Sequence, residues 1–166
     1  MDEGAVPLDY ETAASGTHEP ELRLWLRLLT CTLMIENEVR SRLREAFDVT
    51  LPRFDLMAQL DKAPDGLTMG ELSRRLMVSN GNVTGIADRL VAEGLVAREP
   101  SPTDRRTAFV RLTPEGRKAF RAMARRHEAW IADFFEGLSA DETRELMRLL
   151  GKAKQSVRGS MGRERR

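Results

Sequence analysis

The 166-residue chain has a single cysteine, Cys31, and only two histidines, His18 and His127. An internal disulfide is therefore impossible, and a zinc site made of several cysteines and histidines cannot be assembled. The pair His127-Glu128 begins like the metal-binding helix of zinc proteases, but that motif needs a second histidine four residues later, where Ile131 stands. We expect neither a metal site nor a cofactor.

Long apolar segments are missing as well. No apolar run approaches the roughly 20 residues that cross a bilayer, and the start of the chain lacks the basic and apolar segments of a signal peptide. The sequence contains neither a phosphate-binding glycine loop nor the strained serine turn of hydrolases. We therefore expect a cytoplasmic protein that does not contact a membrane and is not an enzyme.

The charges that are present are unevenly distributed. The net charge is only +1, yet residues 1–21 carry six acidic and no basic side chains, while residues 89–126 carry ten basic side chains against four acidic ones. Many charge runs are no more than solvated helix faces. Because the second run is rich in arginine and surrounds a predicted hairpin, it favours an anionic partner.

Apolar residues make up 41% of the chain, and their spacing divides it into five segments. Residues 1–19 are predicted to be a disordered acidic tail, and residues 20–50 a long N-terminal dimerisation helix. Residues 51–113 form a lobe of short helices and two strands, residues 114–157 two C-terminal dimerisation helices, and residues 158–166 a basic tail. The outer helices carry more apolar stripe than one small lobe can cover, which predicts a symmetric partner. The fold class is mainly α with a small β-hairpin wing.

The lobe within residues 51–113 shows clear start signals for two short helices. Thr68 begins one of them in a predicted capping box, and Ser79 caps the next after a tight turn. Two strands, residues 95–98 and 108–112, follow and are joined by a polar, proline-rich loop. This order predicts a winged helix-turn-helix, whose second helix enters the major groove of duplex DNA.

The candidate DNA contacts lie on that second helix and at the end of the helix before it. Polar side chains that point away from the predicted core face can contact base edges or phosphates. The alternative is a similar helical corner that binds no DNA. The candidates on the second helix are Ser79, Asn80, Asn82, Thr84 and Arg89, and those on the preceding helix are Arg74 and Arg75.

The stretch from Asp104 to Gly116 reads Asp-Arg-Arg-Thr-Ala-Phe-Val-Arg-Leu-Thr-Pro-Glu-Gly and resembles the wing of the MarR family of bacterial transcriptional regulators. The pattern of that family is an Asp-x-Arg, a small hydroxyl residue, a strand and then Leu-Thr-x-x-Gly. The order of helices over about residues 20–157 is similar too. The matching positions are Asp104, Arg106, Thr107, Leu112, Thr113 and Gly116.

This resemblance implies a homodimeric repressor that binds an inverted-repeat operator in double-stranded DNA and is released by a small organic molecule. It also implies that Arg106 enters the minor groove, with Arg105 beside it and Asp104 orienting both, because arginine suits the focused negative potential of a narrow groove. Gly85 departs from the pattern, since many members have a larger polar side chain there. Base contacts are therefore expected to depend more on Asn80 and Asn82.

The segment from Glu21 to Gly85 is similar to the branch of the family that regulates aromatic catabolism and responds to hydroxycinnamoyl-CoA thioesters. This implies an aromatic acyl-CoA effector bound between the dimerisation helices and the reading lobe. Apolar side chains would hold the ring, and arginines would hold the phosphates. The predicted pocket residues are Arg23, Trp25, Arg27, Leu29, Arg40, Arg53, Phe54 and Met57.

Two alternatives stay open. Some members of the family sense peroxide through a cysteine of the first helix that tyrosines activate, and Cys31 lies in that helix. The only tyrosine here is Tyr10 in the tail, so we expect Cys31 to be an inert core residue. The second alternative is a helical interaction protein that binds acidic proteins and no DNA.

Overall fold

The computed structural model describes residues 20–100 and 108–163. These residues are mainly helical with one small sheet, which confirms the predicted fold class. Their contacts divide the chain into two compact units, one through Glu128 and one from Ala129 onward. In chain order the elements are α1 (Pro20–Phe47), α2 (Leu51–Asp61), β1 (Leu67–Thr68), α3 (Met69–Leu76), α4 (Asn80–Ala92), β2 (Val96–Pro100), β3 (Ala108–Leu112), α5 (Pro114–Phe134) and α6 (Ala140–Arg163).

The sheet has three antiparallel strands in the order β1-β3-β2. The strands β2 and β3 form the predicted hairpin, with Val96 opposite Leu112, and β2 continues two residues beyond the predicted end at Arg98. The sequence does not predict β1, a two-residue strand that pairs Leu67 with Val110 of β3. Because α3 begins directly after β1, this short strand ties the helix-turn-helix to the hairpin.

The helix-turn-helix begins and turns where its side chains predict. The side chain of Thr68 accepts the Glu71 N–H at 3.3 Å, and the Glu71 carboxylate accepts the Thr68 N–H at 2.8 Å, which completes the predicted capping box. The N–H and the hydroxyl of Thr68 both donate to the Glu71 carboxylate and lower its pKa. The helix α3 then ends at Met77, whose φ of 54° is left-handed. Ser79 caps α4 by accepting the N–H of Asn82 at 3.5 Å.

The core of the first unit lies among α2, α3, α4 and the sheet. Phe54 of α2 extends it toward α5, because its ring centroid lies 5.5 Å from that of Phe120 and 4.9 Å from that of His127. Burial lowers the pKa of His127, which the nearby Glu128 opposes. The packing of the Phe54 ring against these two rings fixes the position of α2 relative to the first part of α5. The largest fully buried side chains are Leu43, Leu56, Met57, Leu60, Leu72, Leu90, Val83 and Val110.

The Leu-Thr-x-x-Gly stretch joins the end of α4 to the start of α5. The N–H of Thr113 donates to the Leu95 carbonyl at 3.1 Å, and its hydroxyl donates to the Gly94 carbonyl at 2.7 Å. The same hydroxyl accepts the Gly116 N–H at 3.0 Å. A Cβ on Gly116 would lie 1.8 Å from the Leu95 carbonyl oxygen, so the close approach of two backbone segments requires glycine there.

Two helices leave apolar faces exposed within the described protomer. The 28-residue α1 has only two buried residues, Val39 and Leu43, while its Trp25 is 56% exposed. None of the described side chains of α6 is buried, and Leu149 and Leu150 are 47% and 41% exposed. Apolar stripes of this extent usually mark a surface that another molecule covers. No helix within residues 20–100 and 108–163 is long and apolar enough to span a membrane.

Two expectations differ from the structure. The helix α6 continues to Arg163, so residues 158–163 are helical and do not form a tail. Gly159 and Gly162 each destabilise the helix by about 1 kcal/mol, which is much less than a proline would. The two glycines therefore do not end α6. Cys31 is exposed, because it lies on a part of α1 that the described protomer leaves uncovered. The predicted acidic tail, residues 1–19, lies outside the described residues.

Candidate nucleic-acid interface

The helix α4, called the reading helix below, is anchored by one face and open on the other. Val83, Ala87 and Leu90 are fully buried and recur at helical spacing, so one side of the helix lies on the core. Gly81 and Gly85 lie on the opposite side, where an added Cβ would meet nothing within 4 Å. The backbone of the reading helix is therefore accessible to a ligand that approaches from solvent.

The predicted contact residues of the reading helix all lie in solvent. Ser79, Asn80, Asn82, Thr84 and Arg89 are exposed, which places the polar groups of this helix on one accessible surface. The Thr84 hydroxyl donates to the Asn80 carbonyl at 2.8 Å, so it offers a partner its acceptor lone pairs. Among the described residues Arg89 has no ion-pair partner, and its guanidinium is free to meet a phosphate.

Arg74 and Arg75 occupy the last turn of α3 and are exposed. They lie just before the left-handed Met77, whose side chain is 91% exposed at the turn between the two helices. The two arginines, the turn and the start of the reading helix thus follow each other on one exposed segment. This arrangement places two positive charges beside the reading helix, where they can contact an anion such as phosphate.

The hairpin is fixed to the reading helix by an ion pair that the sequence does not reveal. Arg98 of β2 reaches Asp88 of the reading helix at 2.8 Å. Helical spacing places Asp88 on an exposed side of α4, and strand alternation turns Arg98 toward that helix. The sequence does not predict the ion pair, because it forms only through the packing of the hairpin on α4. The predicted wing residues Asp104, Arg105 and Arg106 lie outside the described residues.

A cavity of about 630 Å³, the reading-helix cavity, lies beside the reading helix. The reading helix contributes Gly81, Asn82, Gly85, Ile86 and Arg89 to its wall. The end of α1 and the start of α2 contribute Arg40, Arg44, Thr50, Leu51, Pro52 and Asp55, and the helix-turn-helix contributes Leu76 and Val78. Burial and the nearby Glu36 carboxylate raise the pKa of Asp55. The cavity thus combines three arginines with apolar surface.

The structure does not bring the eight predicted pocket residues together in one protomer. Arg40 lines the reading-helix cavity, whereas Arg53 and Met57 line a different cavity of about 460 Å³, where Arg53 pairs with Glu93. Phe54 lies in the core against Phe120. The other four, Arg23, Trp25, Arg27 and Leu29, lie on the first half of α1.

Sequence comparison relates the chain to known transcriptional regulators. Residues 47–107 match the sequence model of the MarR family. The chain is 33% identical over 116 residues to the transcriptional activatory protein BadR of Rhodopseudomonas palustris, a match that covers 69% of this chain and 66%, just under two thirds, of BadR.

Solved structures extend the likeness over most of the chain. A MarR family transcriptional regulator from Silicibacter pomeroyi is 31% identical, with a TM-score of 0.69 and with 82% of this chain and 94% of that one covered. A mutant MarR from E. coli complexed with operator DNA is 28% identical, with a TM-score of 0.70 and coverage of 80% and 95%. All three relatives carry the names of regulators and not of enzymes, as expected for this chain.

Proposed function

The chain belongs to the MarR family of transcriptional regulators, and we propose that it is a cytoplasmic homodimer that binds an inverted-repeat operator in double-stranded DNA. The observation that carries this proposal is the reading helix, whose Val83, Ala87 and Leu90 are fully buried while its polar side chains are exposed. Reading the major groove requires a helix that is anchored on one side and polar on the other. The related E. coli MarR binds operator DNA.

Within this proposal the exposed side chains have different roles. Asn80 and Asn82 contact base edges, since amide groups pair well with adenine, and Arg89 contacts phosphate or guanine. Ser79, Thr84, Arg74 and Arg75 contact the phosphate backbone and set the register. Arg106 enters the minor groove, with Arg105 beside it and Asp104 orienting both, as the resemblance of the wing implies.

Two helices whose apolar faces are uncovered in the protomer support the proposed dimer. The apolar side chains Leu146, Leu149, Leu150 and Val157 recur along α6 at steps of one, three and seven residues, which places them on one helical stripe. A second copy covers this stripe with the same stripe of its own, and a two-fold dimer presents two reading helices to one operator. The first half of α1, with Trp25 exposed, contributes in the same way.

Asn82→Ala and Arg89→Ala should each weaken operator binding by about 1–3 kcal/mol, which is roughly 5- to 150-fold. Both side chains are exposed, so the melting temperature should stay close to that of the wild type. Fluorescence anisotropy on an operator selected from a random duplex library measures the loss. Arg126→Ala, which removes an exposed arginine of α5, is the charge-matched control and should bind normally. If neither variant differs from wild type, the reading helix is not the DNA contact.

We propose further that a small aromatic anion, of the acyl-CoA thioester class that the family branch implies, releases the protein from DNA. The reading-helix cavity supports this, because Arg40 and Arg44 can hold the anion while Leu51 and Ile86 contact the ring. The same cavity includes Asn82 and Arg89, so an occupant competes with DNA directly. A hundredfold release needs a coupling of about 2.7 kcal/mol.

Titrating p-coumaroyl-CoA, p-coumarate and coenzyme A into the protein-operator complex should show release by the thioester alone. Arg44→Ala should raise the concentration for half-release by about tenfold, a loss of about 1.4 kcal/mol, whereas Arg42→Ala on the same helix should not. Release by the free acid at equal concentration contradicts the thioester class.

A strain without the gene distinguishes repression from activation. Transcription of the regulated genes rises in that strain if the protein is a repressor. It falls if the protein is an activator, which is what the name of BadR says of that protein.

A further inference from the structure

A second concave surface lies on the side of the hairpin that faces away from the reading helix. Strand alternation turns Val96, Arg98 and Val110 inward, where Arg98 meets Asp88 of the reading helix. The outer face of the hairpin borders the first turns of α5, and a cavity of about 720 Å³ lies between them. We call it the wing-base pocket, defined by Ala97, Glu99 and Arg111 of the hairpin and by Arg117, Lys118, Arg121 and Arg125 of α5.

The charge of this pocket is largely uncompensated. Five basic side chains line it against one carboxylate, that of Glu99, which pairs with Arg111. Arg117 pairs with Asp61 at 3.2 Å. The part of the chain that the structure describes offers neither an ion pair nor a hydrogen bond to the side chains of Lys118, Arg121 or Arg125. The pocket therefore has an excess of positive charge.

The arrangement of these charges opposes helix stability. Arg117, Arg121 and Arg125 follow each other at four-residue intervals, and like charges at this spacing destabilise a helix. The Nε of Arg111, at the wall of the same pocket, is buried and has no hydrogen-bond partner. A buried donor without a partner is unfavourable as well. The repulsion among the three arginines is offset when an anion lies beside them in the pocket.

We propose that the wing-base pocket binds a small anion that carries several phosphate groups. The three arginines of α5 extend over about 12 Å along the helix axis, at 1.5 Å per residue, so a single phosphate cannot contact them all. The volume matches that of small-molecule sites. A small ligand fits better than duplex DNA, because the sheet separates this pocket from the reading helix. Anion binding by this pocket does not depend on whether the protein binds an operator.

Isothermal titration of the DNA-free wild-type protein at about 150 mM salt, with tripolyphosphate as the probe, tests the proposal. Tripolyphosphate should bind with one site per protomer and at least tenfold more tightly than inorganic phosphate. The double variant Arg121→Ala, Arg125→Ala should lose at least tenfold in affinity without a lower melting temperature, because it removes repulsion from α5. The neighbouring Arg126→Ala, which is outside the pocket, should bind within twofold of wild type.

Three results overturn the proposal. The first is an equal tripolyphosphate affinity for wild type and the double variant. The second is a loss of affinity in Arg126→Ala as large as that in the double variant, which indicates nonspecific attraction to positive charge. The third comes from titrating a duplex at several salt concentrations. If the double variant lowers the salt slope by about 2 relative to Arg126→Ala, the two arginines contact DNA phosphates and the pocket is part of the DNA interface.

Discussion

Gly116→Ala should lower the free energy of unfolding by about 3 kcal/mol, at the upper end of what overpacking costs. The added Cβ would lie 1.8 Å from the carbonyl oxygen and 2.8 Å from the carbonyl carbon of Leu95. These neighbours are backbone atoms, and the same carbonyl accepts the N–H of Thr113. The junction between α4 and α5 cannot open without losing that hydrogen bond, so the strain is not relieved by a rotamer change.

Thermal unfolding at a fixed protein concentration measures this effect, since association also changes the melting temperature. The melting temperature should fall by roughly 6–12 °C, at 2–4 °C for each kcal/mol in a chain of this size. Gly85→Ala is the matched control, because nothing lies within 4 Å of its added Cβ and alanine is the better helix former. Equal melting temperatures for Gly116→Ala and wild type would refute the close approach at this junction.

The double variant Leu149→Glu, Leu150→Glu should convert the dimer into monomers. These side chains are 47% and 41% exposed in the protomer and contribute to no core there, so their loss should leave each protomer folded. In the proposed dimer, burying a leucine contributes about 1.5–3 kcal/mol, and an unpaired buried carboxylate is unfavourable. We expect the dissociation constant of the dimer to rise at least a thousandfold, which is about 4 kcal/mol.

Analytical ultracentrifugation over a range of concentrations measures this change, and circular dichroism checks that the helices persist. Arg148→Glu with Gln155→Glu is the control, because these exposed residues lie on the opposite side of α6 at 100° per residue. The control should remain dimeric and bind operator. A dimer that survives both pairs of substitutions would exclude the apolar stripe of α6 from the interface.

The sequence predicts elements whose signals are local. The capping box of Thr68 and the Ser79 cap each depend on hydrogen bonds within three residues, so the residue types alone place the starts of α3 and α4. The strand β1 carries no such signal. It has only two residues, and its pairing of Leu67 with Val110 joins positions far apart in the chain, which propensity cannot show.

The candidate site also has a part that local sequence signals predict and a part that they do not. The exposed face of the reading helix follows from helical period, because buried residues such as Val83 and Leu90 determine which side remains for Asn82 and Arg89. The two basic cavities depend instead on which faces of distant elements meet. Arg44 and Arg121 stand in the sequence as ordinary exposed helix charges, and only packing places them at the reading-helix cavity and the wing-base pocket.

Footprinting of the wild-type protein on its selected operator tests dimeric DNA reading most directly. Two reading helices related by a two-fold axis should protect two inverted half-sites whose centres lie about 10–10.5 base pairs apart on one face of the duplex. The protection should weaken steeply as salt rises, because phosphate contacts release counterions. Protection of a single asymmetric half-site, or no salt-dependent protection of any duplex, would contradict DNA reading by a two-fold dimer.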